Sequence, residues 1–436
     1  MTVADDSEVP DCCLDIPFPI PNMAWLNNKK DLPPLPPSPH DNPNNLRVLA
    51  IGTLYEIQTF YLDAFPDEGQ KLRAQSVTRE RGGSAANILS LLAQFDGVSP
   101  FLCAPVGSRR ESTRVESELD DQGIGTDFLV RREGEQVPTS YILQSRSIGS
   151  RTVIHHNPLP DIAHSEFVRL FKHQFILDST PSISSTRSVD RQPPSPSFPR
   201  RVPPFDWVHF EGRPTPSMLS NLRWICDVSR EQGYRDKVVV SLGLERPVQD
   251  MEELIRFADV VFFSKALAMQ ATHASPKSFL LSHALASAPH SILLATPSSH
   301  TSGAALLSVP NKEYYQSSEL VKDSSATSTR TNGKRVSGFG GDEDGEFEIL
   351  DLSGTGEAFI AGMIYSLTRR LLPGQPYTPS DEEYRPTADE DKGRWRLEEC
   401  LRFATELAGR KNRRPTWDGL AEAMAEVGWF SARGVM

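Results

Sequence analysis

Short apolar runs alternate with helical patterns along most of this chain, and that alternation constrains its architecture more than any other feature. Arg47–Gly52, Phe101–Gly107, Trp207–Gly212, Lys237–Leu242, Val260–Phe263 and His290–Ala295 each read as a short buried strand. Met218–Gln232 and Val248–Phe257 read as helices, Leu397–Arg410 is amphipathic at helical spacing, and Glu116–Gln122 predicts a helix stopped at Gly123. Val137–Leu143 and Arg151–His155 alternate with period two and predict a hairpin through Gly149–Ser150. These elements describe an α/β sheet, mainly parallel, with no internal repeat. Ligands of such sheets sit beyond the carboxyl ends of strands. Gly52, Gly212 and the turn at Gly354 each follow a strand, so they can line one crevice.

The turn at Leu352-Ser353-Gly354-Thr355-Gly356-Glu357-Ala358-Phe359 carries the most chemistry. Phe347–Leu350 reads as a strand before it, and Phe359, Ile360, Met363, Ile364, Leu367 and Leu371 recur at helical spacing after it. A helix starting near Gly356 points free N–H groups at one spot, and its dipole favours an anion there. Glu357 adds a carboxylate beside that anion. Charge stabilisation plus a proton acceptor is what phosphoryl transfer to a hydroxyl needs. The same residues also suit an ordinary glycine turn capping a buried helix. Arg81-Gly82-Gly83-Ser84-Ala85-Ala86-Asn87, ahead of Ile88, Leu91, Leu92 and Phe95, forms a second glycine-to-helix junction. It admits a ligand or a close backbone, and tight helix packing explains it equally well.

Forty-six Lys and Arg against 57 Asp and Glu give a net charge of −11, with no long basic run, which argues against nucleic acid as a partner. No apolar run approaches the roughly 20 residues that span a bilayer. The five cysteines (Cys12, Cys13, Cys103, Cys226, Cys400) are scattered without a CxxC pair, which suits a reducing, cytoplasmic location and argues against a zinc site. His155 and His156 sit side by side on an expected strand and so point to opposite faces. Read alone, Glu211 either serves the site or only pairs with Arg213 or caps a strand end, His209 is a satisfied core histidine, and Lys265 is a solvated helix-start residue. Residues 1–45, rich in Pro, Asp and Asn, are expected to form a disordered tail. The domain is expected over 46–430, with low-complexity insertions at about 180–204 and 324–345.

Taken in order, six stretches resemble the PfkB (ribokinase-like) carbohydrate kinases, most closely their ketohexokinase branch. They are Val48–Gly52, Arg81–Asn87, Gly149–Ile154 with Leu159–Pro160–Asp161, Trp207–Arg213, Asp259–Lys265 and Asp351–Phe359. The resemblance implies a three-layer α/β/α sandwich with a small β-sheet lid drawn from about residues 55–80 and 137–156. It also implies an ATP-dependent, Mg²⁺-assisted transfer to a hydroxyl of a sugar or related polyol. Gly354, Thr355 and Gly356 would hold the transferring phosphoryl group, and Glu357 would be the base. Gly83, Ser84 and Asn87 would meet the substrate, and Arg151, Gly303, Ala408 and Gly409 the nucleotide. The metal ligands are left unassigned, and a homodimer through the lid is the expected assembly.

The chain departs from the family pattern in ways that bear on substrate and rate. Glu357 stands where the family has Asp, and Ser84 where ketohexokinases have Asn. Ile57 replaces the substrate-binding Asp; Glu56, one place off, would face the other way on a strand. Gly243 replaces an acidic residue, and the loop 296–302 lacks an acidic pair. Two functions follow: a working sugar kinase, or a weak or inactive member that binds nucleotide or sugar in a regulatory role.

Overall fold

The computed structural model describes residues 45–147, 150–176, 203–213, 215–248, 250–270, 275–297, 303–317, 354–369, 395–414 and 416–430. All belong to one unit, Pro39–Met436. The tail, the insertion at 324–345, the insertion at 180–204 as far as residue 202, the strand expected at Phe347–Leu350, Gly149, Leu352 and Ser353 lie outside the described residues.

The chain begins with β1 (Leu46–Ile51), β2 (Tyr55–Leu62), β3 (Ser76–Gly82), α1 (Ser84–Leu92), β4 (Val98–Cys103), β5 (Pro105–Val106), α2 (Arg109–Asp121) and β6 (Val130–Arg131). Next come β7 (Thr139–Ser145), β8 (Arg151–His156), α3 (His164–Phe175), β9 (Trp207–Gly212), α4 (Met218–Glu231), β10 (Val239–Leu244), α5 (Met251–Phe257) and β11 (Val260–Phe263). Then follow α6 (Lys265–Gln270), α7 (Pro276–Ala284), β12 (Ile292–Ala295), β13 (Ala305–Ser308), β14 (Glu313–Gln316), α8 (Thr355–Arg369), α9 (Leu397–Lys411) and α10 (Leu420–Glu426).

The main sheet runs β14-β13-β12-β11-β10-β9-β1-β4, parallel from β4 to β12 and closed at one edge by the antiparallel hairpin β13–β14. Its central strands are buried on both faces, which is why they read as continuous apolar runs. Alternation splits their side chains between two cores. Val48, Ala50, Trp207, Val239, Val260 and Ile292 pack with α1, α8 and α9. Leu49, Val208, Val240, Val261 and Leu293 pack with α3, α4, α5 and α7. This is the expected three-layer α/β/α sandwich. Trp207 is fully buried, and truncating it to Ala should cost about 3–5 kcal/mol.

The lid is a second sheet, β3-β2-β7-β8. Register puts Tyr55 and Ile57 on one face with Gly82 and Glu80, and Glu56, Gln58 and Phe60 on the other. Several elements go beyond the sequence reading. Helix α2 starts at Arg109 rather than Glu116, because its buried stripe of Ser112, Val115 and Leu119 opens on a small polar residue. Helix α5 starts at Met251 rather than Val248; Asp250 before it is left-handed, with φ 57°. Phe167, Phe171 and Phe175, spaced four apart, bury the unforeseen α3.

Candidate active site

Strand β1 lies between β4 and β9, and the chain leaves it to one side and later returns on the other. The crevice beyond the carboxyl ends of β1 and β9 is therefore a topological switch point, where open α/β sheets bind ligands. Glu211, next to last in β9, reaches across it. Its carboxylate accepts from the Thr53 N–H at 2.9 Å and from the Thr53 hydroxyl at 3.2 Å. A Cβ on Gly52 would stand 2.2 Å from Glu211 Oε2, so this approach requires glycine. Glu211 is thus bonded to Thr53 rather than paired with Arg213, whose charge acts from nearby. Loss of hydration raises the Glu211 pKa, against the pull of the Thr53 N–H and Arg213.

The glycine pair before α1 brings the lid onto the same spot. Gly83 has φ +123°, and a Cβ there would stand 2.1 Å from the Thr53 carbonyl oxygen. One on Gly82 would meet Tyr55 at 2.4 Å and Ile57 at 2.8 Å. Close backbone approach is what this pair serves. Removal from water, then Glu211, Glu357 and Glu245, push the Tyr55 hydroxyl up to about 12, so it is a neutral donor. Its ring meets His155 edge-on at 5.3 Å. Ser84 and Asn87 follow in the first turns of α1, both half-buried. The buried Arg81 guanidinium donates to Ser90, to Gln122 at 3.2 Å and to Asn87 Oδ1 at 3.4 Å, which leaves the Asn87 NH₂ for another acceptor. Glu56 is on the opposite lid face, as expected, paired with Arg114 at 3.1 Å.

Helix α8 opens at Gly354, with φ +90°. A Cβ there would stand 2.6 Å from Trp417 and 3.1 Å from Lys411 Cε, whereas one on Gly356 would meet nothing within 4 Å. The turn is held on one side and open on the other. The first helical bond is Ala358 N–H to Gly354 O at 2.9 Å, so the N–H groups of Thr355, Gly356 and Glu357 precede the helical ladder. Thr355 is buried, its hydroxyl 3.5 Å from Asn412 Oδ1. Ile360, one turn on from Glu357, reaches β10, where a Cβ on Gly243 would stand 3.8 Å from Ile360 Cδ1. The first turn of α8 therefore lies over the sheet's carboxyl end. Loss of hydration, then Glu245 and Glu211, push Glu357 up to about 7, with Lys411 pulling the other way.

The remaining expected site residues fall in two places. A Cβ on Gly303 would stand 1.8 Å from the Ser317 carbonyl oxygen. Ser317 joins α9 through Thr405 at 3.0 Å, one turn before the buried Ala408 and Gly409. Arg151 is apart from these, exposed on the lid's outer strand β8. Among the described residues, no group of three or more His, Cys, Asp or Glu forms a metal site. His209 is a core histidine: it bonds Ser241 at 2.8 Å, and burial drives its pKa down to about 3. The side chain of Lys265 lies outside the described residues. Sequence reasoning missed Tyr55, Glu245, Lys411 and Trp417, and left Glu211 undecided. The available signal was a carboxylate at or just past a strand's carboxyl end, at Glu211 and again at Glu245.

Comparison with known proteins agrees with this fold. Residues 46–172 match the pfkB family carbohydrate kinase profile. Mouse ketohexokinase is 23% identical over 223 residues, 51% of this chain and 64% of the relative, so the chain spans just under two thirds of that protein's length. The structure of Giardia lamblia ribokinase superposes with a TM-score of 0.57 at 14% identity, covering 88% of this chain and all of that one (100%). Arabidopsis thaliana ribokinase, solved with ribose and ATP, gives 0.56 at 13% identity, covering 87% and 99%. The fold is ribokinase-like, and over residues 46–172 the chain is similar to the PfkB carbohydrate kinases.

Proposed function

We propose that this protein transfers the γ-phosphoryl group of ATP to a hydroxyl of a sugar or sugar-like small molecule. The observation that carries the reading is Glu357 in the first turn of α8: a carboxylate pushed up to about 7, beside a row of helix N-terminal N–H groups and an open Gly356. A base near neutral pH takes a hydroxyl proton efficiently, and the N–H row receives the phosphoryl charge. Glu211 and Asn87 orient the acceptor, Tyr55 covers it from the lid, and Gly83 and Ser84 shape its wall. The Gly303 turn, Ala408–Gly409 and Arg151 take the nucleotide, Arg151 by closing with the lid over the phosphates. Mg²⁺, when bound with the nucleotide, would offset the phosphate charge.

The proposal includes a domain over residues 46–430, a cytoplasmic location and a homodimer. Cys103 and Cys226 are free, buried thiols, which suits a reducing compartment. Register places the exposed Val77, Tyr141 and Ile154 on the lid face opposite Tyr55, and that apolar face supports pairing between lids. A panel of sugars, polyols and nucleosides with ATP and Mg²⁺ tests the reading, scored by phosphorylated product. Product from at least one acceptor is expected. Tight nucleotide binding with no product from any acceptor would instead establish the regulatory reading, which the Glu at position 357 favours.

A further inference from the structure

Helices α8 and α9 pack antiparallel. A Cβ on Gly362 would stand 2.8 Å from Ala404 Cα, and Ser366 and Cys400 exchange bonds at 3.3 and 3.4 Å. The N-terminus of α8 therefore lies beside the C-terminus of α9, where Thr355 meets Asn412. This juxtaposition is awkward for an anion site. A helix C-terminus carries roughly half a negative charge, which opposes any anion held next to it.

Lys411, the last residue of α9, lies at that junction and is 1% exposed. Its ammonium donates to the Arg414 carbonyl at 3.0 Å, in the turn that ends α9, and lies 4.8 Å from the centre of the Trp417 ring. The same two side chains, Trp417 and Lys411, are what a Cβ on Gly354 would strike. The cation is fixed between the negative end of α9 and the turn that opens α8. Burying an ammonium costs several kcal/mol unless surrounding charge offsets it. The carbonyls at the end of α9, the Trp417 face and an anion on the turn all act in that direction.

We propose that Lys411 is a positioning residue whose buried ammonium cancels the negative end of α9 beneath the Gly354–Glu357 turn, so that the turn holds a phosphate-class anion. The role in turnover rests on the kinase reading above; the role in anion binding does not. Besides Lys411 from α9, the charged and titratable groups that face Glu357 among the described residues are Tyr55 from β2, Glu211 from the end of β9 and Glu245 after β10.

The test compares wild type, Lys411→Met and Lys411→Arg as full chains, with inorganic phosphate and ADP as calorimetric probes. Lys411→Met should weaken both ligands on the order of tenfold. It should also move the acid limb of kcat/KM to higher pH, because Glu357 loses a cation that favours its ionised form. The acceptor KM should hold, and Lys411→Arg should restore most of the anion affinity. If Lys411→Met lowers only the melting temperature, with phosphate and ADP affinities and the acid limb unchanged, Lys411 is structural and the proposal is overturned. Failure of wild type to bind either probe overturns it too. Should Lys411→Met not fold, lysine-labelled wild type decides by NMR, with the Lys411 signal assigned from its absence in Lys411→Arg. Saturating phosphate must shift that signal, and an unmoved signal overturns the proposal. If no acceptor is turned over, the kinase reading fails, while the calorimetric and NMR results still decide the role of Lys411.

Discussion

The Glu211 carboxylate takes two hydrogen bonds from Thr53, from its N–H at 2.9 Å and its hydroxyl at 3.2 Å, and so ties the end of β9 to the end of β1. An ionised carboxylate has about four acceptor sites, so this clamp leaves capacity for a ligand. Ile57 removes the carboxylate that the family places on the lid strand, and Glu211 stands on the sheet below it. Glu211→Gln should raise the acceptor KM about 10- to 100-fold, the value of one hydrogen bond to a charged group. Nucleotide affinity should not change. Initial rates over a range of acceptor concentrations check this, and an unaltered KM removes Glu211 from the acceptor site.

Gly83 joins the lid to α1 under two constraints at once: a φ of +123° and a carbonyl 2.1 Å from where a Cβ would stand. Gly97 shares only the first, with φ +74° and nothing within 4 Å. Gly97→Ala should cost about 1–2 kcal/mol, the strain of a left-handed residue. Gly83→Ala should cost more, because Thr53 must also move, and Thr53 holds Glu211. Urea midpoints of the two variants measure the difference. Equal losses would mean that close packing does not constrain Gly83.

Much of this site was legible in the sequence because its parts are local. The Gly354–Glu357 turn is read from consecutive residues, since a glycine, a helix start and a carboxylate in the first turn need no partner to be recognised. The same holds for Gly82–Gly83 before α1, and for the strands, whose burial on both faces makes them uniformly apolar. What stayed hidden depends on pairing across the chain. Glu211 and Thr53 are 158 residues apart, and only the placement of β9 beside β1 makes them neighbours. Lys411 looks like an ordinary cation closing a helix until α8 is laid antiparallel to α9. Arg81 reads only as the first residue of the glycine junction until its guanidinium is found buried among Ser90, Gln122 and Asn87.

The raised pKa of Glu357 has a thermodynamic consequence. Its folded value of about 7 lies above the ordinary 4.5, so the folded chain holds this proton more tightly than the unfolded chain. The resulting stability is complete below about pH 4.5 and is lost as pH rises through about 7. Glu211, also raised, acts in the same direction. Glu357→Gln removes the ionisable group, so at pH 8 the variant should be more stable than wild type by about 1–3 kcal/mol. The gap should close as pH falls toward 4.5. Urea unfolding of both proteins at pH 5 and pH 8 checks this. A pH-independent gap would show that Glu357 is not held near neutrality.

Under the proposed function, the length of the Glu357 side chain decides whether turnover is fast or slow. Glu and Asp have similar reference pKa values, about 4.3 and 3.9, so basicity alone does not separate them. Reach does: one extra CH₂ moves the carboxylate by about 1 Å, and a misplacement of that size can cost on the order of 10²-fold in rate. In this protein the carboxylate faces Glu211 and Tyr55 across a crevice that lacks the lid carboxylate, because Ile57 takes its place. Under the proposed function, an acceptor held by Glu211 rather than from the lid would lie at a different distance from α8, and a longer base would suit it. Glu357→Asp should therefore lower kcat on the true acceptor by about 10- to 100-fold while leaving ATP affinity unchanged. Glu357→Gln should abolish turnover with ATP still bound. Single-turnover rates with saturating ATP separate these effects from product release. A Glu357→Asp variant that outpaces wild type on ribose or common ketoses would mean that the longer side chain weakens the site, and the regulatory reading would prevail. Full turnover by Glu357→Gln would remove Glu357 as the base.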